Sequence, residues 1–168
     1  MKSLFKDYKW RYVLTIEFVW WLIALLVSFA VLYPLISTLH FNFWLINGLF
    51  IFITVLLIRY VFFFYNIPWI KPMWVRFLLF AVLLNYCIFT LRKFQLFMDV
   101  FDSFILKDLG TPIHPISLAT EGNLFNYFRL ETTAIVTGSL VLSLALIVRL
   151  VSSYWKLAKR RMDDNFNI

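Results

Sequence analysis

The chain has 168 residues, of which 62% are hydrophobic and 15% are charged, and its net charge is +7. So small a polar fraction cannot cover the surface of a water-soluble globule of this length, which excludes the soluble classes of enzyme and binding domain. The composition instead predicts one domain that has the lipid bilayer as its solvent.

Four apolar runs fill most of the chain, and each is long enough for a membrane span of about 20 residues. We predict transmembrane helices over about 12–39, 44–65, 74–91 and 132–155. Aromatic residues make up 21% of the chain, and many lie near the ends of these runs, as is typical of side chains at headgroup level. The expected fold is an all-α integral membrane protein, an antiparallel bundle of four transmembrane helices.

The first two connections are short. Residues 40–43 leave so little chain between helices one and two that we expect an antiparallel hairpin. The next connection contains Pro68 and Pro72, which cannot continue a helix. Pro34 lies inside helix one and predicts a kink with a freed carbonyl, unless a neighbouring group satisfies the backbone there.

The long connection between helices three and four, about residues 92–131, is predicted to lie on the outer side. Phenylalanines recur there at helical spacing, with polar residues on the opposite face, so we expect an amphipathic helix over 94–109, either separate or continuing helix three. We expect this connection to form a cap that closes the bundle, and the functional alternative is a lid or an outer docking surface made by Phe97, Phe101 and Phe104. Gly110 is expected to end this helix, followed by an extended stretch at 111–115 and a turn at 121–123.

Basic residues divide unequally between the two sides of the predicted bundle. One side carries twelve basic and four acidic residues, a net charge of +8, and the other carries four basic and five acidic residues, a net charge of −1. The basic side comprises Lys2, Lys6, Lys9, Arg11, Arg59, Lys71, Arg76, Arg149, Lys156, Lys159, Arg160 and Arg161. Because positive flanks stay in the cytoplasm during insertion, both termini are expected inside, including a basic tail at 156–168. This split favours contact with anionic lipids at the inner face over nucleic-acid binding.

Ionisable residues inside the apolar runs are the best candidates for a site, because a charge in hydrocarbon is retained only with a partner or a task. Glu17, Arg59, Arg76 and Arg149 fall at similar depth near the inner side and form a predicted charge layer. An ion pair of Glu17 with either Arg59 or Arg149 is possible. The arginines could otherwise extend toward headgroup phosphates. Glu17 could instead contact another subunit or bind protons or cations.

The position of Glu17 in helix one of a four-helix chain is similar to that of the coupling carboxylate in the small multidrug transporters. That resemblance implies ion-coupled transport through Glu17. Those transporters are much shorter and lack a long outer loop, and no other motif is shared.

Catalytic and cofactor signals are sparse. His40 and His114 are weak candidates for a metal site, without ligand-like spacing, and no metal or cofactor is expected. Cys87 has no second cysteine with which to pair. Small residues four apart, Ala134/Gly138 and Ser139/Ser143, favour close packing of helix four.

The leading hypothesis is therefore a non-catalytic accessory or scaffold subunit of a larger membrane complex, with other membrane subunits and the bilayer as its partners. The absence of an Asn-x-Ser/Thr sequon fits a bacterial inner membrane. The alternative is a small proton- or cation-coupled transporter, or a lipid or anion carrier, that uses Glu17. A second alternative is a membrane sensor module, although we expect no cytoplasmic effector domain after helix four.

Overall fold

The computed structural model describes residues 2–64, 70, 72–103, 110–115 and 117–166. Its elements in chain order are α1 (Lys2–Thr38), β1 (Leu39–Phe41), α2 (Trp44–Phe63), α3 (Met73–Ser103), β2 (Gly110–Pro112) and α4 (Leu118–Phe166). Each of the four helices contains an apolar stretch long enough to cross a membrane. The prediction of four such helices is confirmed, although three of the helices are much longer than their predicted spans.

Helix α3 passes the predicted end at residue 91 and continues without a break to Ser103. No glycine or proline interrupts the sequence there, so nothing stops the helix. Residues 94–103 of the predicted amphipathic helix are therefore the last turns of α3. Residues 104–109, with Phe104, lie outside the described part of the chain.

Helix α4 begins at Leu118, so the turn predicted at 121–123 is helical. Ser117 caps the new start, because its hydroxyl accepts a hydrogen bond from the backbone N–H of Thr120 at 3.3 Å. Gly122 weakens a helix by about 1 kcal/mol relative to alanine. Burial of Phe125 and Phe128, which are 6% and 0% exposed, outweighs that local cost.

Helix α4 packs against α2, α3 and, at fewer positions, α1. Its buried residues follow the spacing of three or four positions that marks one face of a helix. They are Leu124, Phe125, Phe128, Glu131, Thr132, Val136, Ser139, Ser143, Leu146, Leu150 and Ser153. Two hydrophobic clusters form around this face, one toward the β1 end of the helices and one toward the opposite end.

A short antiparallel sheet joins two connections that are distant in sequence. β1 pairs with β2, with His40 opposite Thr111 and Phe41 opposite Gly110. The backbone N–H of Ile113 also donates to the carbonyl of Thr38 at 3.1 Å. Gly110 is required by this close approach, since a Cβ atom there would overlap the carbonyl of His40. Gly110 thus begins β2, and the residues that join it to α3 lie outside the described part of the chain.

Pro34 lies within α1, which continues past it to Thr38. The Tyr127 hydroxyl on α4 donates a hydrogen bond to the carbonyl of Val31 at 2.7 Å, in the turn that precedes the proline. The carbonyl that Pro34 leaves without its helical N–H partner is that of Ala30, one residue before the carbonyl bound by Tyr127. The same bond ties α1 to α4.

Candidate functional site: polar contacts between the apolar helices

Glu17 on α1 and Arg59 on α2 form a two-pronged ion pair. The arginine Nη1 and Nη2 atoms donate to the two carboxylate oxygens at 2.6 and 2.8 Å. The Arg59 side chain is 5% exposed and the Glu17 side chain 14% exposed. The guanidinium carbon lies 5.5 Å from the ring centre of Trp20 and 5.8 Å from that of Tyr60. The pair is thus shielded by aromatic rings, and it fixes the register of α1 against α2.

The other two arginines of the predicted charge layer also bind within the chain. Arg149 on α4 donates to the carbonyl of Val61, two residues after Arg59 on α2. Arg76 on α3 donates through Nε to the carbonyl of Ile70 at 2.9 Å and through Nη1 to the hydroxyl of Ser153 at 2.5 Å. These contacts lie at the same end of the helices, where they link α2, α3 and α4.

Near the other end of the helices, Glu131 forms a second polar contact, which the sequence analysis missed. Its Oε2 atom accepts a hydrogen bond from the amide of Asn47 on α2 at 2.7 Å. Glu131 is 9% exposed, Asn47 is 1% exposed, and the hydroxyl of the adjacent Thr132 is buried beside them. The available signal was the helical spacing from Phe128 to Thr132 and Val136, which places position 131 next to the buried face.

A group of hydroxyls lies farther along the buried face of α4. The Tyr86 hydroxyl on α3 lies close to Thr90, Ser139 and Thr54, so α2, α3 and α4 all contribute to this group. Ser139 and Ser143 are 0% exposed, in keeping with their predicted role in close packing. The other predicted small-residue pair is less buried, since Ala134 is exposed and Gly138 is half-buried.

Of the three phenylalanines in the predicted docking surface, Phe97 is the one whose side chain the structure describes. Phe97 is 4% exposed, and its ring packs edge-to-face on Phe43 and Phe128 at centroid distances of 5.8 and 5.9 Å. It is therefore part of the core of this chain, and its ring has no free face for a partner. The side chains of Phe101 and Phe104 lie outside the described residues.

The histidines do not assemble a metal centre in the part of the chain that the structure describes. His40 is exposed on β1 and His114 is exposed after β2. Within the described ranges, no group of three or more histidine, cysteine, aspartate or glutamate residues is close enough to hold an ion.

A groove of about 1020 Å³ opens sideways between α1 and α2. Most of its lining is aliphatic or aromatic, including Leu25, Phe29, Leu45 and Phe52. His40 and Asn42 lie at the end formed by the connection between the two helices. The groove therefore has an apolar length and one polar end.

No protein-family model matches this chain, and neither a curated protein nor a solved structure does. The functional argument accordingly rests on the polar contacts and the groove.

Proposed function

We propose that the chain is a non-catalytic accessory or scaffold subunit of a larger membrane complex. In this proposal it forms an antiparallel four-helix bundle in a bacterial inner membrane, with both termini in the cytoplasm. The observation that carries the proposal is the closed Glu17–Arg59 pair. Ion coupling through Glu17 would first have to break two charge-assisted hydrogen bonds inside an aromatic shell, whereas a structural role uses the pair as it stands.

The exposed faces of α1 and α3 support the same proposal. Phe18 and Leu26 on α1 are 61% and 69% exposed, and Trp74 and Phe77 on α3 are 70% and 68% exposed. Apolar faces of this kind must be covered by lipid or by helices of another protein. A scaffold subunit has such faces available because its ion pair and its arginine contacts lie between its own helices.

Photo-cross-linking in the native membrane tests this proposal. A photoreactive amino acid placed at Phe18 or Trp74 is expected to give a discrete adduct with a second protein. The same group at Ala24, which is 0% exposed, is the control and is expected to give no such adduct. Adducts with lipid alone at every exposed position would contradict the proposal.

The groove between α1 and α2 favours a second candidate, a lipid carrier. Its apolar length suits an acyl chain, and its polar end suits a headgroup. Leu49→Trp would fill the groove and is expected to reduce the lipid that co-purifies with the chain. Val141→Trp, on an exposed face of α4, is the control. Equal lipid retention in both variants would exclude this candidate. No observation among the described residues favours a sensor module.

A further inference from the structure

Glu131 is a buried carboxylate, and the described residues place no cation beside it. Its Oε2 atom is bound by the Asn47 amide at 2.7 Å, and its Oε1 atom has no hydrogen-bond partner among the described residues. The Glu17–Arg59 pair is the ion pair found in those same residues, and Glu131 takes no part in it. Thr132, whose hydroxyl also lacks a hydrogen-bond partner there, is 1% exposed and adjacent to the carboxylate.

Among the described residues, the groups that bind or adjoin this carboxylate, Asn47 and Thr132, are neutral. Asn47 on α2 is an amide, and on α4 the titratable neighbour is Tyr127, one turn away. The amino group of Lys93 on α3 lies over the Phe89 ring at 5.8 Å. The remaining cationic groups near these elements are exposed, namely Arg92, Arg129 and His40.

An ionised carboxylate in such surroundings is strongly disfavoured, because burial removes its hydration and no positive charge replaces it. Two neutral solutions exist, a bound proton or a bound metal cation. A metal cation requires several oxygen ligands. One helical turn before Glu131 and Asn47 lie Phe128 and Phe43, which belong to a hydrophobic cluster and offer no oxygen ligands.

We propose that Glu131 is a proton-binding site at the contact between α2 and α4. Oε1 carries the proton, which removes the charge from the buried carboxylate, while Oε2 accepts a hydrogen bond from the Asn47 amide. The site belongs to the fold of this chain and does not depend on whether it is a subunit of a complex.

Infrared spectroscopy of the full chain in nanodiscs tests the proposal. At neutral pH the wild type is expected to show the C=O band of a protonated carboxylic acid, shifted in D2O. Glu131→Gln is expected to lose that band. Glu121→Gln, the same change at a half-buried position on the same helix, is expected to retain it. Absence of the band in the wild type, or its persistence in Glu131→Gln, would overturn the proposal.

Thermal unfolding supplies a second measurement, in which the pH dependence of Tm is compared between the wild type and Glu131→Gln. A group that binds its proton more tightly in the folded state stabilises the protein at low pH, and this contribution is lost as the pH rises. The wild-type Tm is therefore expected to fall by several degrees between about pH 5 and about pH 9, relative to Glu131→Gln. Parallel curves of Tm against pH for the wild type and Glu131→Gln would contradict the proposal. A wild type that lacks the acid band and whose Tm rises with NaCl at fixed pH would also contradict it, because Glu131 would then bind a metal cation in place of a proton.

Discussion

Arg59 is held between a carboxylate and two aromatic rings, which explains how a guanidinium is accommodated in an apolar helix. Glu17 neutralises its charge, and Trp20 and Tyr60 offer the electron-rich faces of their rings. Long basic side chains can often reach headgroups. At 5% exposure, Arg59 instead has its polar contacts inside the chain.

Removal of one member of this pair is expected to cost more than removal of both. Arg59→Gln leaves the Glu17 carboxylate without its cation and should lower the free energy of unfolding by about 3 kcal/mol. The double variant Glu17→Gln with Arg59→Gln should lose only about 1 kcal/mol, since no lone charge is left behind. Unfolding in nanodiscs with the three variants and the wild type measures this coupling. Additive losses would show that the two residues do not interact.

The sequence allowed the Glu17–Arg59 pair but could not choose it over Glu17–Arg149. Both arginines lie at similar depth, and only the way α2 packs against α1 decides between them. Glu131 could not be recognised while it was assigned to a loop. Its burial follows from the early start of α4, which depends on the Ser117 cap and on tertiary packing.

At the scale of a whole element, α3 is the helix whose structure differs most clearly from its prediction. Its phenylalanine spacing was interpreted as an amphipathic surface helix, and the same spacing serves equally well for a helix that packs its ring face inward. Periodicity shows which face is apolar, but it does not show what covers that face. Phe97 is covered by Phe43 from the first connection and by Phe128 from α4.

Phe97→Ala is expected to destabilise the chain by about 3 kcal/mol, because it opens a cavity among three packed rings. Met98→Ala changes the neighbouring residue, which is 40% exposed, and should cost under about 1 kcal/mol. The two losses in the free energy of unfolding are measured by chemical or thermal unfolding of both variants in the same detergent. Equal losses would place Phe97 outside the core.

The small sheet gives a second prediction at this scale. Gly110→Ala is expected to break the pairing of β1 with β2, because its Cβ atom would occupy the position of the His40 carbonyl. Protease cleavage at residues 110–115 should become faster. Gly122→Ala meets no atom within 4 Å and lies in a helix, so it should leave cleavage unchanged and stabilise α4 by about 0.5–1 kcal/mol. Unchanged cleavage in Gly110→Ala would show that the close approach is not needed.

The pairing of β1 with β2 could not be predicted from the sequence. Proline and glycine around 110–115 indicated an extended segment, and that much agrees with β2. Its partner at 39–41 lies some seventy residues earlier in the chain and was interpreted as a simple hairpin turn. A strand of three residues is too short for its alternation of apolar and polar side chains to be recognised in the sequence.

At the scale of the whole molecule, the contacts describe a chain that is tied together at both ends of its helices. Three arginines link α1 to α2, α2 to α4 and α3 to α4 at one end. The Asn47–Glu131 bond, the Tyr127 hydroxyl and the small sheet link the elements toward the other end. Composition was enough to predict four apolar helices, because hydrocarbon requires every backbone group to be satisfied within a helix.

The central claim is that these polar groups stabilise the chain itself and leave its apolar faces to partner proteins. Native mass spectrometry of the tagged full chain, extracted in native nanodiscs, tests this most directly. The account predicts stoichiometric companion subunits that are retained by the wild type and by the double variant Glu17→Gln with Arg59→Gln. A chain that is released alone or only as a homodimer would contradict it.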